Sequence, residues 1–136
     1  MSDSFVLDTS AIFTFTGNEP GAERVRELLI DGIAGRVQLF GSFVTLTEVE
    51  YITLQKEGPQ AARQRLADLV AMPIHWLHSD AMLCSEAAKL KSTYRISFAD
   101  AFVAATANHF NAILIHRDQE FIPLSNNLQQ SMLPPK

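Results

Sequence analysis

Four carboxylates that are far apart in the chain have the residue types and positions of a catalytic acidic centre: Asp8, Asp100, Asp118 and one of the pair Glu48 and Glu50. Asp8 directly follows the apolar run at residues 5–7, and Asp118 comes soon after the apolar run at residues 113–115. Short apolar runs of this kind predict strands that are buried on both faces of a parallel sheet. Because the carboxyl ends of parallel strands share one edge of a sheet, we expect Asp8 and Asp118 to lie close together if their strands are neighbours.

Asp100 falls in the first turn of a helix that is predicted at about residues 98–110 and that Ser97 can cap. An anion in a first turn is stabilised by the helix dipole, so a capping role alone can explain this residue. A second explanation uses the helix face that Asp100 shares with Ala104 and Ala107. Small side chains there would let the helix lie close to the sheet and direct the carboxylate toward the strand ends. Both explanations stay open from these residues alone.

Glu48 and Glu50 are alternative candidates on a helix predicted at residues 45–57. They are two residues apart, which places them roughly 200° apart around the helix axis, so only one can face a given pocket. Val49 and Ile52 point between these two directions, so the periodicity does not choose between the glutamates. For either glutamate, an exposed surface charge is the simpler interpretation.

Acids that converge repel one another, and a fold tolerates them when protonation or a bound cation relieves the repulsion. Magnesium or manganese suits such a group, because both prefer oxygen ligands and can activate a water for phosphodiester cleavage. Zinc is disfavoured, because Cys84 is the only cysteine and the four histidines are scattered through the chain. The acidic residues therefore predict a metal centre with oxygen ligands.

The order of the predicted elements indicates an α/β protein with a parallel sheet. With 136 residues, the chain fits one compact domain that spans residues 1–136. Besides the strands at 5–7 and 112–115, strands are predicted at 37–40 and 74–77. Besides the helices at 45–57 and 98–110, helices are predicted from the turn at 17–20 to about residue 35, at 59–70, and from a cap at Ser79 or Asp80 to about residue 93.

Bulk properties restrict the location of the protein more than its substrate. The first residues lack a basic region ahead of an apolar run, and no apolar stretch approaches the roughly 20 residues that span a bilayer, so we expect a cytoplasmic protein. The single Cys84 cannot form an internal disulfide. The formal net charge of −4 argues against nucleic acid at first sight. It does not decide the matter, because bound divalent cations would reverse the local charge.

Four motifs, in their order and spacing, resemble those of PIN domains, in particular the VapC-type toxins of bacterial and archaeal toxin–antitoxin pairs. They are VLDTSA at residues 6–11, TEVEY at 47–51, ISFADAFVAATA at 96–107 and RDQEF at 117–121. The resemblance covers nearly the whole chain and includes its closing Leu133-Pro134.

This resemblance implies a three-layer α/β/α PIN-like fold around a central parallel sheet of about four or five strands. It implies that Asp8, Glu48, Asp100 and Asp118 are both the catalytic residues and the metal ligands, and it selects Glu48 over Glu50. The implied activity is that of an Mg²⁺- or Mn²⁺-dependent endoribonuclease, which cleaves RNA by metal-activated water. The implied partners are an RNA substrate, a second copy of the chain in a homodimer, and a small antitoxin protein.

Four further residues would support this site: Thr9, Ser10, His116 and Arg117. The two hydroxyls after Asp8 would hold the site by hydrogen bonding, and Arg117 could hold a flanking phosphate, although a solvated charge is the simpler interpretation. His116 stands where the family commonly has Thr or Ser. It could hydrogen-bond the neighbouring carboxylate, join the metal or alter the pH response, and passive packing is the simplest of its roles.

Two other functions stay open on the sequence alone. Some PIN nucleases process RNA without being toxins, and the acidic positions do not separate the two roles. A PIN-fold binding protein with weakened catalysis is the other alternative, and the departure at His116 permits it. The identity of the RNA is not encoded in any of these motifs.

Overall fold

The structure, a computed structural model, describes residues 3–136 and contains a five-stranded sheet whose strands all run parallel. The strands are β1 (Asp3–Leu7), β2 (Val37–Ser42), β3 (His75–Leu77), β4 (Ile113–His116) and β5 (Gln130–Met132). Their order across the sheet is β3-β2-β1-β4-β5, so β1 is central and β4 is its direct neighbour. In that pair, Leu7 is aligned with Ile115, which brings the carboxyl ends of the two strands together.

Six helices and one 3-10 helix connect these strands. The helices are α1 (Thr9–Thr16), α2 (Ala22–Ile33), α3 (Phe43–Glu57), α4 (Pro59–Val70), α5 (Ala81–Thr93) and α6 (Phe98–His109), and the 3-10 helix spans Gln119–Leu124. Because the strands are parallel, a helix begins shortly after the carboxyl end of most of them. The amino ends of α1, α3 and the 3-10 helix therefore lie along the same edge of the sheet.

A hydrophobic core covers each face of the sheet. On one face, Val6 and Leu114 pack with residues of α5 and α6. On the other face, Leu7 and Ile115 pack with residues of α1 and α2. Successive side chains of a strand point to opposite faces, so the apolar run in β1 contributes to both cores. The α/β class and the three-layer arrangement predicted from the sequence are confirmed.

Helix α6 is buried on all sides over most of its length. Every residue from Asp100 to Ala107 is buried, and Ala104 and Ala107 have no exposed surface. Small side chains allow this close approach to the sheet, which is the second of the two explanations given for the Asp100 face. Among residues 3–136, no helix has the combination of length and apolar character needed to cross a bilayer.

The predicted helices and strands agree with the structure except near three segments. Helix α1 was not predicted, because its sequence Thr-Ser-Ala-Ile-Phe-Thr-Phe-Thr is rich in β-branched and aromatic residues with low helix propensity. The 3-10 helix and β5 were also missed, since residues 119–132 show no clear apolar periodicity. Helix α3 begins at Phe43, two residues earlier than predicted, because the Ser42 hydroxyl accepts a hydrogen bond from the backbone N–H of Val44.

We expect Ala104→Leu to lower the free energy of unfolding by about 1–3 kcal/mol, because added methylenes at a fully buried position force neighbouring side chains to move. Urea denaturation would measure this loss. Ala67→Leu is the matched control, since Ala67 lies on the exposed side of α4. Equal stability of the two variants would contradict close packing of α6 against the sheet.

Candidate active site

Asp8 lies between β1 and α1 and caps the helix. One carboxylate oxygen, Oδ2, accepts hydrogen bonds from the backbone N–H of Ser10 at 3.0 Å and from the Ser10 hydroxyl at 2.5 Å. The other oxygen, Oδ1, is buried and has no hydrogen-bond partner among residues 3–136. Burial raises the pKa of Asp8 to about 6, with smaller contributions from the charges of Glu48 and Asp118, while the Ser10 hydrogen bonds oppose the shift. Asp8 is therefore a buried acid with one oxygen left for a ligand.

Asp100 lies in the first turn of α6, next to Asp118. The Ser97 hydroxyl accepts a hydrogen bond from the Asp100 backbone N–H at 3.0 Å, as the predicted cap requires. The residue is 7% exposed. Burial, contact with the Asp118 carboxylate and the charge of Asp8 all raise the pKa of Asp100 well above its usual value. Capping and convergence with the other acids thus occur together at this residue.

Asp118 and Glu120 complete a compact acidic group with Asp100. One carboxylate oxygen from each of the three residues lies within 4.8 Å of the other two. Asp118 caps the 3-10 helix, and its Oδ1 accepts a hydrogen bond from the Glu120 backbone N–H at 2.9 Å. Glu120 was not among the predicted site residues. Its spacing of two from Asp118 was visible in the sequence, but its direction depends on the 3-10 turn, which was not predicted.

Glu48 faces the site from α3, although it lies outside the compact group of Asp100, Asp118 and Glu120. Its Oε1 accepts a 2.6 Å hydrogen bond from the hydroxyl of Thr9, which also lies 3.0 Å from Oγ1 of Thr45. Glu48 is half-buried and close enough to Asp8 to affect its pKa, whereas Glu50 is exposed. The orientation of α3 relative to α1 therefore turns Glu48 toward the site and Glu50 toward solvent. Periodicity alone did not choose between the two glutamates.

Ser10 connects the loops that carry Asp8 and Asp118. Its hydroxyl donates to Asp8 and accepts a 2.9 Å hydrogen bond from the backbone N–H of Arg117. The Arg117 side chain turns away from the acids: it bonds Glu19 at 2.9 Å and donates to the Pro20 carbonyl at 3.0 Å. Ser10 thus fixes two strand ends relative to each other, and the Arg117 guanidinium neutralises none of the clustered acids.

His116 is fully buried behind the site and contacts the backbone, not the carboxylate, of Asp118. Its Nδ1 accepts the Asp118 backbone N–H at 3.0 Å, and its Nε2 lies 2.8 Å from Oε1 of Gln130 on β5. Burial lowers the pKa of His116, and this geometry fits a neutral ring with its proton on Nε2. Because both nitrogens are engaged, the structure gives His116 no free lone pair for a metal. His116 therefore packs in the core and supports the backbone of Asp118.

The acidic group fits a hard divalent cation. Among residues 3–136, no lysine or arginine forms an ion pair with Asp8, Glu48, Asp100, Asp118 or Glu120. The unpartnered Oδ1 of Asp8 and the raised pKa values of Asp8 and Asp100 show that the protein alone leaves this charge uncompensated. Oxygen-only donors of this kind suit Mg²⁺ or Mn²⁺ better than Zn²⁺.

In the presence of a chelator, we expect the contribution of Asp8 to the free energy of unfolding to fall as pH rises from about 4 to above 6, where it is obtained as the difference between the wild type and Asp8→Asn. The folded protein holds a proton on Asp8 that the unfolded chain releases near the ordinary aspartate pKa of 3.8, so this stability is lost as pH rises through the folded pKa of about 6. The Asp8 contribution is at most about 3 kcal/mol. Chemical denaturation across this pH range would measure it.

Two comparisons define this test. Asp8→Asn should remove the Asp8 part of the pH dependence between about pH 4 and 6, and should leave the part that comes from Asp100, whose pKa is raised to about 9 by burial and the neighbouring carboxylates. Added Mg²⁺ or Mn²⁺ should raise the stability of the wild type at pH 8, because a ligand of the folded state alone stabilises it. The same pH dependence in the wild type and Asp8→Asn, or stability that does not respond to either metal, would contradict an uncompensated acidic centre.

Solved structures with the same fold include VapBC2 from Rickettsia felis bound to a DNA fragment from its promoter, with a TM-score of 0.76, 17% identity, and coverage of 96% of this chain and 99% of the other. For VapBC-1 from nontypeable Haemophilus influenzae, the TM-score is 0.72 and the identity 24%, and the match covers 95% of this chain and 97% of the other. For Mycobacterium tuberculosis VapC20, a sarcin-ricin loop cleaving toxin, the TM-score is 0.70 and the identity 18%, and the match covers 96% of this chain and 99% of the other.

The sequence itself matches one family over most of its length. No curated protein is significantly similar to the chain. The PIN domain family, however, matches residues 5–125, a segment that includes all five acids of the site. The resemblance stated from the four motifs is thereby confirmed, and the chain belongs to the PIN domain family.

Proposed function

We propose that this protein is a divalent-metal-dependent endoribonuclease. The observation that carries the proposal is the set of acids at the strand ends, two of which are buried with raised pKa values and none of which is paired with a basic residue among residues 3–136. Mg²⁺ or Mn²⁺, when bound, supplies charge neutralisation at the phosphate and acidifies a coordinated water. A buried acidic group of this kind has no evident use in packing, because it destabilises the fold without a cation.

Each acid has a distinct part in this proposal. Asp8, Asp100 and Asp118 hold the cation, and Glu120 is an additional candidate ligand that the sequence did not predict. Glu48, like Asp8, lies outside the compact group of Asp100, Asp118 and Glu120, and it is oriented by Thr9, so it is either a further ligand or the base that accepts a proton from the attacking water. Ser10 positions Asp8, and His116 positions the backbone of Asp118.

We expect the wild-type protein to cleave RNA when Mg²⁺ or Mn²⁺ is present and to stop when a chelator is added. Asp100→Asn and Glu48→Gln should each lower kcat/KM about 100-fold or more, because the metal and its ligands contribute several kcal/mol to the transition state. The assay is cleavage of a panel of cellular RNAs, resolved by gel electrophoresis with metal as the variable.

Glu50→Gln is the matched control for Glu48→Gln, since it removes the same charge from the exposed side of α3. It should keep wild-type activity. Activity that persists in chelator, or in Asp100→Asn, would rule out the metal mechanism. Equal losses in the two glutamate variants would instead rule out the distinct role given to Glu48.

We further propose that the nuclease is the toxin of a type II toxin–antitoxin pair, and that it forms a homodimer and binds a small antitoxin. The support is the similarity of fold to VapBC complexes over 95% or more of the chain and to a toxin that cleaves the sarcin-ricin loop. The antitoxin would be a small protein encoded beside the nuclease.

Expression of the wild-type protein alone should arrest growth, and Asp100→Asn should abolish the arrest because the effect requires cleavage. Co-expression of the neighbouring small reading frame should restore growth. Colony counts after induction give the measurement, with protein levels matched between the two forms. Metal-dependent RNA cleavage without growth arrest would contradict the toxin assignment and favour a nuclease of RNA processing.

A further inference from the structure

A cavity of about 480 Å³ adjoins the acidic group. It lies between α1, α3 and α4 and reaches the end of the chain at Lys136. Ser10 and Arg117 line it, and these are the residues that connect Asp8 with the loop of Asp118. The cavity therefore begins beside the site, at residues that contact or adjoin Asp8 and Asp118, although none of the five acids lines it.

Positive charge is concentrated around this cavity although the whole chain carries a net charge of −4. Four of the 11 basic residues line it, together with two acids: Lys56, Arg65, Arg117, Lys136, Glu19 and Glu57. Glu19 pairs with Arg117 and Lys136, both at 2.9 Å, and Glu57 pairs with Arg65 at 3.5 Å. Lys56 forms no ion pair within residues 3–136. The cavity thus has an excess of cations over acids.

The remaining lining combines an aromatic ring with hydroxyl groups. Phe13 is partly exposed, and Thr16 and Thr53 lie nearby in the wall. The hydroxyl of Thr53, a residue that is 1% exposed, has no hydrogen-bond partner among the described residues. Aromatic side chains beside cations are the usual combination where a protein binds single-stranded nucleic acid, because the ring stacks on a base while the cations hold the backbone.

One face of α3 leads from the acids into the cavity. Glu48, Ile52 and Lys56 are spaced by four residues, so they form one row along the helix. Two helical turns separate the Cα atoms of Glu48 and Lys56, a distance of about 12 Å. A strand whose scissile phosphodiester lies at the acids would follow this row toward Lys56.

We propose that the cavity binds a nucleotide of the RNA strand beside the scissile phosphodiester. Lys56 and Arg65 hold its phosphate, and Phe13 packs against its base or ribose. This inference rests on the proposed nuclease function and adds the direction in which the substrate strand leaves the site. The pairing of an aromatic ring with cations next to the acidic group favours RNA over an acidic protein segment as the occupant.

The test measures RNA binding without cleavage. In the Asp100→Asn background with Mg²⁺, the Kd for a fluorescent single-stranded RNA of mixed sequence is obtained by anisotropy at several salt concentrations. Lys56→Ala and Arg65→Ala should each raise Kd about fivefold or more, and should lower the slope of log K against log salt by about 0.7, the value of one lost phosphate contact. Thermal unfolding of each variant checks that the fold is kept.

Arg63→Ala is the matched control, because Arg63 is an exposed arginine of the same helix as Arg65 and does not line the cavity. It removes the same charge and should change Kd less than about twofold, since a distant surface charge makes no phosphate contact. Equal effects of Lys56→Ala and Arg63→Ala would overturn the proposal, because the cations would then act only through overall charge. Unchanged RNA binding in Lys56→Ala would also overturn it.

The result of the RNA-binding test is independent of the result of the nuclease assay. If wild-type protein cleaves RNA but Lys56→Ala binds RNA normally, the subsite is wrong and the nuclease assignment stands. If Lys56→Ala weakens RNA binding specifically but the wild type never cleaves RNA with metal, the subsite stands and the nuclease assignment is wrong.

Discussion

Repulsion between carboxylates at one edge of the sheet is the constraint on which the other features of the site depend. Three of the acids lie at helix amino ends: Asp8 caps α1, Asp100 lies in the first turn of α6, and Asp118 caps the 3-10 helix. Backbone N–H groups and helix dipoles stabilise an anion at such positions. Parallel strands bring these helix ends together, so the topology that crowds the acids also offsets part of their repulsion. The raised pKa values of Asp8 and Asp100 show that the offset is incomplete.

Hydrogen bonds behind the acids tie three adjacent strands together. Ser10 links the end of β1 to the loop after β4, while His116 links that loop to Gln130 on β5. Gln130 in turn donates to the Phe121 carbonyl in the 3-10 helix, which fixes the segment that carries Glu120. His116 therefore holds the backbone of Asp118 with an imidazole where the family commonly has a hydroxyl. The imidazole thus supports the Asp118 backbone and makes no hydrogen bond to its carboxylate.

The sequence predicted those parts of the site whose position depends on strand ends or on a recognisable cap. Asp8, Asp100 and Asp118 belong to this class, because apolar runs and the Ser97 cap are local signals. Glu48 required either a family resemblance or the packing of α3 on α1, since the two glutamates differ only in rotation about one axis. Glu120 and β5 were out of reach because their placement depends on a 3-10 turn and a short edge strand, neither of which has a strong local pattern.

The distribution of charge explains why the net charge of the chain is a poor guide to its partner. Five of the 15 acidic residues belong to the site, where each bound divalent cation would cancel two charges. Four of the 11 basic residues line the adjoining cavity, where Glu19 and Glu57 balance part of their charge. A bound cation would therefore reduce the negative charge at the acids, while the basic residues of the adjoining cavity offer positive partners to a phosphodiester backbone, although the protein as a whole is acidic. Placement of charge, and not its sum, determines whether such a surface can accept a phosphodiester backbone.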